Sequence, residues 1–384
     1  MTEFISSFWF NQLLPPWKSD GARGWVFVIE VPHEDVQGYL DREFNLAAPD
    51  RAPYYYEAFP GRTFGILRFI DHPCFYSGKA TEEGRNRIQH KELTWTFPAY
   101  RHPVTKDNLV HRDTAVVWIQ PFSFDNNSYF MFSSREVLGN ETQMAVIDSQ
   151  EAKGGPGLRV DVGVQGMRKF KPSATSHKIG AFAIEVDNKA KTEDGQKIIE
   201  SSPDLDRFIG TLSGSVNFAP PPEAEGTLQT GGVSPFAVFQ GAIQDTVKQF
   251  RDVFDWDVAA YRALVSSRLR YTDVKDPKFY DGKYIDIRLM WSDSLKETFT
   301  SFFSVEAPES PPEQEDAVPG YGGGWGDNRI GYPLGKELPK DDLIDWQMPS
   351  VKLDVALAIS FTANAEISAE GTLFTYGHDG AHAG

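Results

Sequence analysis

Residues 132–148 read F-S-S-R-E-V-L-G-N-E-T-Q-M-A-V-I-D. β patterning flanks this stretch on both sides. Upstream, Trp25 to Glu30, Tyr54-Tyr55-Tyr56, Thr63 to Ile70 and Thr114 to Gln120 are rich in β-branched and aromatic residues and are separated by Gly, Pro, Asn and Asp clusters. Downstream, Gly154-Gly155-Pro156-Gly157 reads as the turn into strands at Leu158 to Val164 and Ile179 to Val186.

The second half of the chain extends the pattern. Phe236, Phe239, Ile243, Val247, Phe250 and Phe254 recur at three- and four-residue steps, which predicts an amphipathic helix packed on a sheet. Tyr261 to Tyr271 and Tyr284 to Trp291 read as strands. The plainest strand is the last, where Val351, Leu353, Val355, Leu357, Ile359 and Phe361 alternate with smaller or polar residues and Ala363, Ala365 and Ile367 carry the face onward. Many strands with few helices predict a mainly β (α+β) fold, an antiparallel barrel with an internal pocket and peripheral helices, since closure hides the strand edges. The chain reads as a single domain, with an apolar docking arm at 1–20 and polar, Pro- and Gly-rich insertions or loops at 187–232 and 305–345.

Composition narrows the partners. The 54 acidic against 38 basic residues give a formal charge of -16, which opposes binding to nucleic acid or anionic membrane. A single cysteine, Cys74, excludes an intrachain disulfide and a thiolate zinc cluster, so the cytoplasm is the expected compartment. No apolar run reaches the roughly 20 residues that a membrane helix requires. His33, His72 and His102 are scattered, and no H-E-x-x-H spacing or dinucleotide-binding glycine loop occurs, so neither a metal nor another cofactor is expected.

The segment quoted first resembles the active-site strand of the acetoacetate decarboxylases. There an Arg-Glu pair is followed, after four residues, by Pro-Lys-Lys; here Arg135-Glu136 is followed by Glu141-Thr142-Gln143. A second point of likeness is K-E-L-T-W-T-F-P-A-Y, in which Glu92 precedes Pro98 by six residues much as a family active-site glutamate precedes a proline. The resemblance spans roughly residues 25–303 and 351–376. It implies a barrel with an internal pocket, a keto-acid or related carbonyl substrate and frequent homo-oligomers. It also implies that an early-strand arginine contributes, for which Arg68 in I-L-R-F-I-D-H is the candidate.

The family's first lysine forms a Schiff base with the substrate ketone, and neither Thr142 nor Gln143 can do so. The expectation is therefore a lyase, dehydratase or cyclase that works by acid-base chemistry on an oxygenated or polyketide-like molecule. Glu92 and Glu141 are its expected catalytic residues, acting through raised carboxyl pKa values. Thr142, Gln143, Arg135 and Arg68 are the expected substrate-binding residues. Two alternatives are a β-keto acid decarboxylase using a displaced lysine such as Lys153, Lys169 or Lys171, and a non-catalytic binding barrel.

Overall fold

The computed structural model describes residues 13–45, 53–61, 63–78, 87–105, 108–109, 114–152, 156–170, 176–214, 241–251, 259–303, 305, 308, 344–346 and 348–375. The chain opens with β1 (Trp17–Val31), α1 (His33–Glu43), β2 (Tyr54–Ala58), β3 (Thr63–Ser77), β4 (Ile88–Thr105) and β5 (Asn108–Leu109). It continues through β6 (Ala115–Asp125), α2 (Ser128–Leu138), β7 (Thr142–Glu151), β8 (Leu158–Gly166), β9 (His177–Val186), α3 (Gly195–Glu200) and α4 (Pro203–Gly214). Then follow β10 (Gly241–Arg251), β11 (Ala259–Asp281), β12 (Ile285–Met290), α5 (Lys296–Phe303), β13 (Ser350–Leu353) and β14 (Val355–Thr375).

The fold is mainly β, and its centre is a closed ring. β6, β10, β11, β14, β1, β3 and β4 are hydrogen-bonded in that order, and the β6–β4 pairing closes the circle. Closure leaves no exposed edge on these strands. From β6 the sheet also runs outward through β7, β8, β9, β12 and β13. The outer face of the ring (Phe27, Leu67, Leu93, Trp95, Phe97) and this second layer (Val160, Val162, Phe182, Ile184, Ile287) share one core with α1 and α5.

The inner face carries a different core. Val26, Val28, Ile66, Ile70, Trp118, Leu269, Ile359 and Phe361 pack with Ile198, Ile199, Leu205, Phe208 and Leu212 of α3 and α4. These two helices lie within the stretch 187–232, so its described part contributes apolar residues to the inner core. At another part of the ring Leu13, Trp17, Phe75, Phe130 and Leu138 form a small separate core. Leu13 and Trp17 are therefore buried while Leu14 between them is exposed, and the Leu13 amide donates to Ser133 Oγ at 3.0 Å.

The structure departs from the sequence reading in three places. The helix expected from Phe236 to Phe254 is instead β10, paired antiparallel with β11 from Gly241↔Arg270 through Arg251↔Ala259; Phe236, Phe239 and Phe254 lie outside the described residues. Ring closure supplies β10 with partners on both sides, and those ladder bonds override a local helical period. The ring is also not wholly antiparallel, because β6 pairs parallel with β10 and with β7. Finally, the first half of the segment at 132–148 is helical. Asn127 caps α2 by accepting from the amides of Tyr129 and Phe130, and Gly139 ends it at φ 76 in the left-handed region.

One close approach lies between the neighbouring strands β3 and β4 on the outer face. A Cβ on Gly65 would collide with the Trp95 ring, which is fully buried in the outer core. Gly65→Ala is therefore expected to overpack this contact and to destabilise the protein by about 1–3 kcal/mol, read as a lowered urea midpoint with an unchanged denaturant slope.

Candidate functional site inside the ring

Strand register, together with the period of two in strand side chains, assembles a polar layer on the inner face. One row of direct partners runs Val26↔Arg68, Arg68↔Thr94, Thr94↔Ser123 and Ser123↔Thr142. The next row carries Gly24↔Ile70, Ile70↔Glu92 and Glu92↔Asp125. A third pair is His72↔His90. All of the polar members are buried or nearly so; Arg68 and Glu92 have side chains 12% and 10% exposed.

Charge organises this layer. Arg68 Nη2 lies 3.6 Å from Glu92 Oε1, and the Tyr271 hydroxyl reaches Arg68 from the far side of the ring through a hydrogen bond. Burial pushes the Glu92 carboxyl upward, but His72, Arg68 and His90 together outweigh it and hold the group at about 2. His72 Nε2 stands 3.8 Å from Glu92 Oε1, long for a hydrogen bond, so the guanidinium is the firmer partner. Burial, aided by His90, drops the His72 imidazole to about 4. Burial also drives Tyr271 up to about 12, so it remains a phenol. The result at neutral pH is an ionised Glu92, a cationic Arg68 and a neutral His72.

Several polar atoms in the layer are unsatisfied. Arg68 Nε, His72 Nε2, His90 Nε2 and Thr94 Oγ1 are buried without a hydrogen-bond partner. Buried polar groups are rarely left so, and each costs about 1–3 kcal/mol when it is. Four such atoms lie in this one layer, and others lie elsewhere at Trp95, Arg262, Asp286 and Ser292. Nearby, Ser123 Oγ and Thr142 Oγ1 are 2.7 Å apart. Gln244 Nε2 donates to Gln120 Oε1 at 2.6 Å and approaches Asn140 Oδ1 at 3.5 Å, which adds amides to the interior. No cluster of three metal-ligating side chains occurs among the described residues.

Of the residues selected from sequence, Arg68, Glu92 and Thr142 come together here. Glu141, Gln143 and Arg135 do not. Gln143 pairs with Phe124 on the opposite face and is exposed, because strand alternation allows only every second residue of β7 to face inward. Glu141 is solvent-accessible outside this layer, its pKa raised by partial burial and by Glu43 against the pull of Arg135 and Arg42. Arg135 lies exposed on α2. Glu92 is also not the raised carboxyl that was expected, since His72, the Arg68 guanidinium and His90 lower it.

Comparison with family models gives no match, and comparison with curated proteins gives none. The chain is similar in structure to acetoacetate decarboxylases. Against the crystal structure of the acetoacetate decarboxylase from Legionella pneumophila the TM-score is 0.47 at 10% identity, covering 97% of this chain and 93% of the other. The enduracididine biosynthesis enzyme MppR gives a TM-score of 0.42 at 13% identity, with 94% and 88% covered. An acetoacetate decarboxylase-like enzyme from Sphingomonas wittichii RW1 gives 0.43 at 8% identity, with 94% and 93% covered.

Sequence reading passed over His72 as one of several scattered histidines and did not select His90, Asp125, Ser123, Thr94 or Tyr271. A signal was present. Polar residues recur at even spacing on one face, Arg68 with His72, His90 with Glu92 and Thr94, and Ser123 with Asp125.

The two lowered pKa values fix how stability responds to acid. The unfolded chain binds protons more strongly at both groups. The His72 contribution is therefore complete above its ordinary 6.5 and is lost as pH falls toward about 4. That of Glu92 is complete above 4.5 and is lost as pH falls through about 2. Urea unfolding followed by tryptophan fluorescence should show stability falling by up to about 1.4 kcal/mol per pH unit below 6.5. His72→Asn, which keeps a partner for Ser19, should flatten the 6.5-to-4 segment and leave the lower one.

Proposed function

We propose that the ring interior is the binding and reaction site of a small-molecule enzyme. It resembles the acetoacetate decarboxylases in plan but works by acid-base rather than imine chemistry, as lyase, dehydratase or cyclase. The observation that carries this reading is the Arg68–Glu92 layer with its four unpartnered buried atoms, in which Thr142 occupies the inward position that the resemblance gives to the first lysine. No lysine is found among the buried polar residues described.

The charge balance favours a particular substrate class. Glu92 already neutralises Arg68, His72 is neutral, and Asp125 adds a carboxyl, so a second anion entering the layer would meet no uncompensated cation among the described side chains. Donors and acceptors are plentiful. This combination suits a neutral molecule bearing hydroxyl and carbonyl oxygens better than a keto acid, and it supports a biosynthetic role on an oxygenated or polyketide-like compound.

A specific observation favours one other reading. Lys248 on β10 is half-buried, its amine pKa is lowered by burial against the pull of Glu136, and its Nζ donates to the Glu136 carbonyl. A displaced imine lysine would have such a depressed amine. Of the lysines named from sequence, Lys169 is exposed, whereas Lys153 and Lys171 lie outside the described residues.

A pair of near-isosteres separates the readings. Acetylacetone and acetoacetate differ by a methyl group in place of an oxyanion, and binding of each is measured by saturation-transfer NMR. The wild type should prefer acetylacetone by roughly tenfold or more, about 1.4 kcal/mol. Glu92→Gln releases Arg68 and should erase or reverse that preference. Equal or tighter binding of acetoacetate by the wild type overturns the neutral-substrate reading. Borohydride reduction in the presence of acetoacetate should leave the mass of the protein unchanged, and a lysine adduct would establish the decarboxylase alternative.

A further inference from the structure

Past Glu92 the inner face holds two imidazoles in contact. His72 and His90 are direct register partners, with ring centroids 4.4 Å apart and planes 12° from parallel. Each ring is anchored at Nδ1. His72 Nδ1 lies 2.9 Å from Ser19 Oγ, and His90 Nδ1 lies 2.9 Å from Asp125 Oδ2. Both Nε2 atoms are buried and have no partner.

Asp125 is itself immobilised. Its Oδ1 accepts the Asn127 amide at 2.6 Å, at the start of α2, while the other oxygen meets His90. Burial pushes the Asp125 carboxyl upward, against the pull of His90 and of the Asn127 amide; in its ionised form it accepts the Nδ1–H of His90 and leaves the Nε2 lone pair as the basic end. Phe75 and Phe130 hold the His90 ring from two more sides, each with centroids 4.6 Å away. The titratable groups it interacts with are His72 on β3, Glu92 on β4 and Asp125 on β6, and Arg68 on β3 and Tyr271 on β11 stand next to Glu92 in turn.

We infer that His90, oriented by Asp125, is the group that moves protons in this interior, taking a proton from the carbon beside a substrate carbonyl. The inference rests on the reading that the ring binds a neutral carbonyl compound. Nε2 accepts the C–H proton, the C–H pair becomes the new C=C bond, and the carbonyl π pair moves onto oxygen. That oxygen can be met by Thr94 Oγ1 and Arg68 Nε, both without partners. Return of the Nε2 proton to carbon reverses the step. Glu92 is poorly suited to this task, since a carboxylate paired with a guanidinium and ionised far below neutrality is a weak base. Its negative charge instead favours the imidazolium that forms on His90.

The probe is hydroxyacetone in D2O, with binding followed by saturation transfer and carbon-bound protons followed by 1H NMR. The wild type should bind it and replace its α-protons with deuterium. His90→Gln should slow exchange by about a hundredfold or more. Asp125→Asn, which removes a positioning residue, should slow exchange and shift the His90 15N signals away from the Nδ1-protonated pattern. That pattern is also read in the wild type, where an Nε2-protonated His90 would overturn the proposal even if the variants do not fold. Exchange that continues unchanged in His90→Gln overturns it as well. Binding without exchange removes the role of His90 and leaves the site standing, whereas absence of both removes the two readings together.

Discussion

A guanidinium and a carboxylate held together inside a closed ring are the constraint on which the rest of this structure depends. Neither Arg68 nor Glu92 could be buried alone, since leaving one charge uncompensated in such a place costs about 3–5 kcal/mol. Each is tolerated because strand register sets them on adjacent rows of one face. The same register brings Thr94, Ser123, Asp125 and Thr142 into the layer. Tyr271 completes it from the opposite side, where a strand far away in sequence closes the circle.

Division of labour between the two faces follows from this. The outer face is largely apolar, apart from the buried Arg101–Asp245 pair with the Tyr56 hydroxyl, and is covered by the second layer of strands with α1 and α5. It supplies the burial that holds the ring shut. The inner face can then carry polar atoms without partners, a condition that costs stability unless something is bound. α3 and α4 pack on the apolar part of that face, and the small core of Leu13, Trp17, Phe75, Phe130 and Leu138 adjoins the histidine pair, since Phe75 and Phe130 belong to both groups. Sites in such folds are held by rigid strands rather than by loops, which suits chemistry that depends on fixed donors and acceptors.

Segments with two compatible periods were the hardest to read. G-A-I-Q-D-T-V-K-Q-F-R satisfies a helical step through Ile243, Val247 and Phe250, yet forms a strand because β6 and β11 offer ladder partners on both sides. Conversely, S-S-R-E-V-L looked like part of a strand and is helical, because Asn127 and Gly139 supply the caps at its two ends. In both cases local composition was ambiguous and a feature a few residues away, or a strand far away, decided the outcome.

The sequence by itself determined the mainly β class and the alternating strand pattern from Val351 onward, which the fold divides between β13 and β14, because alternation of apolar and polar residues survives in a single strand. It named Arg68, Glu92 and Thr142 together with Glu141, Gln143 and Arg135 without separating them. It could also show that Thr142 and Gln143 offer no amine. Only the tertiary structure decided which face of each strand is the inside, and so separated Thr142 from Gln143 and left Glu141 and Arg135 outside the inner layer. It alone assembled His72, His90, Asp125 and Tyr271 from distant strands. The reason is physical: a carboxylate beside a guanidinium titrates differently from the same carboxylate in an apolar recess, and which of the two environments it meets is set by neighbours that lie far off along the chain.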